Sequence, residues 1–163
     1  MTPNKGIRWY LQYAYNDTWL GSDFKYNRVD AYGTAFFDLI PKLVIGFRAD
    51  FRFIWDDYPF FTAPYVILRG IPALRYQDKM VTVLETEERW DFARRWSLVG
   101  FAGVGKAFSN EKAFKDYTTA WSVGTGFRYK LARLLNIYWG VDVARGNEEW
   151  AFYLQLGHYW NNL

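Results

Sequence analysis

Residues 121–131 read Trp121-Ser122-Val123-Gly124-Thr125-Gly126-Phe127-Arg128-Tyr129-Lys130-Leu131. Apart from Thr125, large apolar or aromatic residues occupy the odd positions, and small or charged ones the even positions. Successive side chains of a β-strand point to opposite faces, so this period of two predicts a strand with one greasy and one polar face. Leu43-Val-Ile45-Gly-Phe47-Arg-Ala49-Asp-Phe51-Arg-Phe53 repeats the pattern with Arg48, Asp50 and Arg52 on the polar side. In Ile137-Tyr-Trp139-Gly-Val141-Asp-Val143 the polar side carries Tyr138, Gly140 and Asp142.

Working outward, eight such segments are predicted, at 6–17, 24–38, 43–55, 78–92, 96–108, 118–131, 137–145 and 150–160. Each can supply the roughly 9–11 tilted residues that cross a bilayer as a β-strand. Alternation alone does not say which face meets lipid, because a soluble sandwich alternates too. The connections favour a membrane. Tight ones (Ile40-Pro41-Lys42, Ala93-Arg94-Arg95, Ala132 to Asn136) alternate with mostly longer ones (17–23, 56–77, 109–117), the rhythm of short periplasmic turns and longer outer loops. Trp9, Trp55, Trp90, Trp96 and Trp160 fall near strand ends, as in an interfacial girdle.

Composition agrees. Aromatics make up 22% of the 163 residues, yet mean hydropathy is slightly negative at -0.24. A membrane barrel reconciles many rings with many charges by turning the rings toward lipid and the charges inward. The length suits one domain, 1–163, with a long connection at about 56–77 that folds inward. Net charge is only +3 and the basic residues are interspersed with 17 acidic ones, which argues against nucleic acid as a partner. With no cysteine, disulfides and thiolate metal sites are excluded. No metal and no cofactor is expected. No run of about 18 apolar residues predicts a transmembrane helix. No apolar targeting segment precedes the first strand, so the start reads as a mature or trimmed terminus.

The longest connection contains Leu68-Arg69-Gly70-Ile71-Pro72, which resembles the Arg-Gly-aromatic/aliphatic loop motif of the BamA/TamA and two-partner-secretion transporter superfamily. Glu85-Thr-Glu-Glu-Arg89-Trp-Asp-Phe resembles that family's next strand and Gly100-Phe-Ala-Gly-Val-Gly105 the one after. Gly126-Phe-Arg-Tyr129 and Gly140-Val-Asp-Val-Ala-Arg-Gly146 continue the likeness, which covers most of residues 65–160. It implies an outer-membrane barrel corresponding to the C-terminal eight-strand half of such proteins. It further implies that the loop motif Arg69, Gly70 and Ile71 folds into the lumen, where Arg69 pairs with Glu85 or Glu87. Gly103 stands where the family places a second acid, so a single acidic partner and weaker docking are expected. Full members carry periplasmic domains and about sixteen strands, and neither is present here, so insertase or secretion activity does not simply transfer. Gly157, Tyr159 and Trp160 partly match the aromatic-ended signal by which barrels are recognised for assembly, and suggest a natural C-terminus.

Other motifs read more plainly. Gly100 to Ala107 nearly spells a phosphate loop, but Ala107 stands where Ser or Thr must ligate Mg²⁺ and no helix follows. The alternative is a strand whose small residues admit a neighbouring loop. The single histidine, His158, reads as an interfacial residue of the last strand, and no motif nominates Ser97, Ser109 or Ser122 as its partner. The inward charges Arg28, Asp30, Arg48, Asp50, Arg52, Glu85, Glu87, Arg89, Asp91, Arg128 and Asp142 read as ion pairs satisfying a polar lumen. Glu88 falls on the apolar face, where lipid exposure is costly.

The functional expectation is a non-enzymatic protein of the bacterial outer membrane, acting on lipid organisation, protein insertion or passage across the membrane. Its expected partners are membrane lipids and the outer-membrane assembly machinery. The rivals are a small lipid-modifying barrel enzyme (acyltransferase- or phospholipase-like) and a purely structural barrel. A volume conflict bears on assembly, because eight strands enclose just enough room for their own side chains and leave none for an inserted loop. Either the loop stays outside a closed monomer, or the sheet remains open and two chains join edge to edge. The favoured expectation is a homodimer of about sixteen strands with seams near Trp9 and Phe152.

Overall fold

The computed structural model describes residues 4–111, 113–132 and 137–162. It is all-β: eight strands form one antiparallel sheet in sequential order. The strands are β1 (Gly6–Asn16), β2 (Lys25–Ile40), β3 (Leu43–Asp57), β4 (Met80–Trp90), β5 (Trp96–Phe108), β6 (Thr119–Ala132), β7 (Ile137–Gly146) and β8 (Trp150–Leu156). Among the described residues, only short 3-10 turns accompany them, at 18–20, 60–62, 114–116 and 159–162. No described helix is long and apolar enough to cross a membrane, which leaves crossing by strands untouched.

The sheet is not closed. Among the described residues β1 and β8 each pair on one side only, with β2 and β7 respectively. Of the two outcomes the volume conflict allowed, the chain takes an open sheet with the loop inside its curve. Several boundaries move from their predicted places. β2 runs two residues further than expected, through Ile40, where a left-handed Lys42 (φ 76°) makes the turn into β3 tight, and β3 runs two residues further at its other end, where Asp57 pairs with Lys25. β4 covers 80–90 instead of 78–92. The largest correction is at β8, which ends at Leu156 and not at residue 160. Gly157 takes φ 82°, a left-handed conformation that favours glycine, and it bends the chain off the sheet. The predicted tight turn at 132–136 lies largely outside the described residues.

Register fixes the two faces. Phe47 on β3 stands opposite Thr86, then Ala102 and Val123, whereas Arg48 stands opposite Glu85, then Gly103, Ser122 and Gly146. The first row belongs to the outer face, where Phe47, Leu84, Trp121, Val123, Phe127 and Phe152 are exposed. The second belongs to the inner face, where Arg48, Glu85, Glu87, Arg128 and Asp142 are buried. Soluble proteins rarely bury charges that are not paired, and rarely expose so broad an apolar surface. At the tight-turn end, Trp90, Phe92, Trp96, Phe127 and Tyr129 join in one chain of ring contacts. Trp160, expected in such a girdle, is instead buried on the inner side.

Candidate functional site

Between β3 and β4, residues 58–79 fold back over the inner face. Val66, Leu68 and Ile71 anchor the loop in an apolar cluster with Val81, Val83, Ala107 and Ala120. The strand beneath is flat where the loop lies on it. A Cβ at Gly103 would come within 2.6 Å of the Leu68 side chain, and one at Gly105 within 2.7 Å of Val66. The near-phosphate-loop glycines thus admit a neighbouring loop, as the plainer reading of that motif held. Gly70 (φ +84°) turns the chain where the loop meets β7, its amide donating to the Tyr153 hydroxyl at 2.8 Å.

That turn delivers Arg69 into the centre of the sheet, where it is fully buried. Its Nη2 lies 2.9 Å from Glu85 Oε1 and 2.7 Å from Glu87 Oε2, and its Nη1 lies 3.1 Å from Asp142 Oδ2. The Glu87 contact is an ion pair whose angle falls outside hydrogen-bond geometry. The guanidinium sits between two rings, 3.4 Å from the Phe101 centroid and 4.8 Å from that of Tyr159. The Ser122 hydroxyl donates to the Arg69 carbonyl. The expectation of a single acid is therefore corrected. β5 carries Gly103 and no acid there, but Asp142 on β7 supplies one from across the sheet, and Glu85 and Glu87 both engage.

The acids are shared. Glu85 also accepts from Arg48 Nη1 at 2.7 Å and from the Trp160 indole at 2.8 Å. Asp142 also accepts from Arg128 Nη2 at 2.9 Å. Arg48 in turn donates to the Ile67 carbonyl at 2.8 Å, holding the loop's approach. Arg48, Arg69 and Arg128 thus face Glu85, Glu87 and Asp142 in a balanced cluster. Guanidinium stays charged at all ordinary pH, so each carboxylate keeps a cation beside it. Buried charges persist only when paired in this way.

The C-terminal segment completes the cluster, which sequence reasoning missed. Instead of extending β8 toward an interface, His158, Tyr159 and Trp160 turn onto the inner face. His158 Nε2 lies 3.0 Å from Glu87, and its Nδ1 accepts from the Trp160 amide at 3.2 Å. Acceptance at Nδ1 places the proton on Nε2, which donates to Glu87. Trp160 packs against Phe36 and Val44. A Cβ at Gly46 would come within 2.9 Å of its ring, and its carbonyl accepts from Tyr32 at 3.0 Å. Burial pushes the Tyr159 phenol up to about 12, with the Glu85 carboxylate adding to the effect. His158 is therefore a buried tail residue, not an interfacial one, and Trp160 is an internal wedge. The available signal was Gly157, a left-handed breaker three residues before the predicted strand end.

The remaining predicted residues lie elsewhere. Trp9 and Phe152 are 77% and 74% exposed on the two unpaired edge strands. Glu88 sits half-buried on the outer face, where the Thr86 hydroxyl donates to it at 2.7 Å. Ser97 bonds Asp91 and Ser109 bonds Tyr117, so neither serine is drawn to His158. Among the described residues no group of three or more His, Cys, Asp or Glu is placed to hold a metal. No protein-family model and no curated protein matches this chain.

Proposed function

We propose that this protein is a non-enzymatic β-barrel component of a bacterial outer membrane, built like half of a BamA/TamA-type or two-partner-secretion barrel. In this reading its apolar face meets lipid, and an Arg69-anchored plug fills part of its lumen. The observation that carries the reading is the inside-out distribution of side chains. Ion pairs are buried on the face that receives the loop, while rings and aliphatic side chains crowd the opposite, exposed face. A plug clamped to the wall suits a protein acting on lipid organisation, protein insertion or passage.

The two free edges are the reason to propose a second copy. Unpaired backbone groups cannot remain in lipid, where no water satisfies them. β1 runs away from the tight-turn end and β8 runs toward it, so β1 of one copy and β8 of another meet antiparallel. Inward Tyr10 and Gln12 then share a side with inward Tyr153 and Gln155, and outward Trp9 and Leu11 with outward Phe152 and Leu154. Two such seams give about sixteen strands under two-fold symmetry. Flotation of refolded protein with lipid vesicles tests insertion, and protein left in the aqueous fraction would refute it. Trp9→Cys with Phe152→Cys tests the seam: crosslinks between chains are expected, and a monomer mass in native mass spectrometry would refute it. Against a lipid-modifying enzyme, His158 is engaged by Glu87 and the Trp160 amide. Phospholipid turnover abolished by His158→Ala would favour that rival.

A further inference from the structure

The plug leaves one part of the inner face bare. On β3 the Arg48 and Asp50 side chains beneath the loop are 0% and 3% exposed, whereas Arg52, Asp30 and Arg28 rise to 15%, 20% and 30%. The dry region ends at β3, and a polar recess of about 350 Å³ runs along β1 to β3 beyond it. Its rows follow the strand register. Arg8 lies nearest the tight-turn end, then Tyr10 opposite Tyr32, then Gln12 opposite Asp30, and Arg28 at the far end. From the level of Arg8 to that of Ala14, which pairs with Arg28, the track rises about 20 Å at ~3.4 Å per residue. With the strands tilted by about 45°, that covers about half of a hydrocarbon core of about 30 Å.

Charge along the track is unbalanced. Asp30 is taken by Arg28 at 2.8 Å, and Asp50 by Arg52 at 2.7 Å with Arg48 also near at 3.5 Å. Arg8 makes no ion pair among the described residues, so its cation stands over against no carboxylate. Arginines lining a narrow polar path favour anions, because the low-dielectric wall focuses their field into the water between.

We propose that the inner wall of β1–β3 lines a water-filled, anion-preferring passage beside the plug. The proposal rests on the membrane-barrel reading, and the side that one copy leaves open is supplied by the second copy's β8. Arg8 sets the preference, and the Arg69 clamp keeps the plug from collapsing into the path or swinging clear of it.

The test is the full chain reconstituted into planar bilayers under a KCl gradient, with vesicle flotation run in parallel as an independent measure of insertion. Discrete conductance steps are expected, with a reversal potential on the chloride side. Arg8→Glu should move that potential toward potassium, and Lys106→Glu, on the outer face, should leave it in place. Arg69→Ala should enlarge the steps by freeing the plug. Protein that floats with vesicles but gives no steps, or steps that prefer potassium, would overturn the passage while leaving the membrane reading standing. An unmoved reversal potential in Arg8→Glu would also overturn it. Failure to float would remove the membrane reading and the passage with it.

Discussion

The inner faces of β1–β3 and β4–β7 both carry Arg together with Asp or Glu, yet they end in different physical states. Over β4–β7 each of Glu85, Glu87 and Asp142 meets two or more groups drawn from different elements, Glu87 the loop's Arg69 and the tail's His158. Glu85 serves β3, the loop and the tail, and Asp142 serves the loop and β6. On β1–β3, away from Arg48, which joins the buried cluster, the ion pairs are short-range, Arg28 with Asp30 and Arg52 with Asp50, each two residues along the same strand. Local pairing tolerates water and locks nothing. Pairing across elements in a dry interior ties the loop, the tail and four strands into one unit, because each ion left alone there would face a large desolvation penalty.

Arg69→Ala should make the largest difference between the two faces. It strands Glu85, Glu87 and Asp142 with one cation fewer, and a loss of about 3–5 kcal/mol is expected, as for breaking a buried pair. Denaturant titration in detergent would measure it, with residues 58–79 becoming open to protease. Arg8→Ala on the wet face should change stability by no more than about 0.5 kcal/mol. Comparable losses at the two positions would break the distinction.

Trp160→Ala should follow closely. It removes a buried indole packed on Phe36 and Val44 together with a hydrogen bond to Glu85, for a cost of about 3 kcal/mol. Tryptophan fluorescence of the variant, read against denaturant, would show whether the tail is a wedge or a bystander.

Gly146→Ala sharpens the role of the flat floor under the loop. Its Cβ would overlap the Gly70 carbonyl oxygen, so about 1–3 kcal/mol should be lost as the loop lifts. Gly33→Ala, on the outer face with only a 3.9 Å contact, should be tolerated.

The smallest effect concerns acid. Asp17, in the β1–β2 connection, accepts from the Tyr15 hydroxyl and pairs with Lys25 at 3.2 Å, and these hold its carboxyl down at about 2. A depressed carboxylate contributes stability that is full above its ordinary pKa of 3.8 and is lost as pH falls through about 2. An NMR titration of the Asp17 carboxyl should find its midpoint well below that of an ordinary aspartate. A midpoint near 3.8 would mean that the connection is unclasped in solution.

Eight strands, their faces and the placing of Glu85 and Glu87 on one side with Arg89 were legible in the sequence. Alternation is a local property: a side chain two residues on must return to the same face, whatever the rest of the chain does. The resemblance of the motif around Gly70 likewise pointed to an inward loop carrying a cation toward carboxylates, and the left-handed turn at Gly70 emerged from the structure. What the alternation could not reveal was which inward acid meets which cation, because that depends on the register and curvature of strands far apart in sequence. Asp142 lies 73 residues from Arg69, and Trp160 lies 75 from Glu85. Nor could periodicity say that the tail leaves the sheet. Tyr159 and Trp160 continue a plausible strand pattern, and only the space left beside Phe36 and above Gly46, together with Glu87 waiting for His158, makes the inward turn the better place for them. The sequence by itself determined the elements and their two faces, since both follow from the backbone's period of two. Tertiary structure alone decided which parts of the polar face are dry and which are left to water, since that depends on where one loop and one tail come to rest.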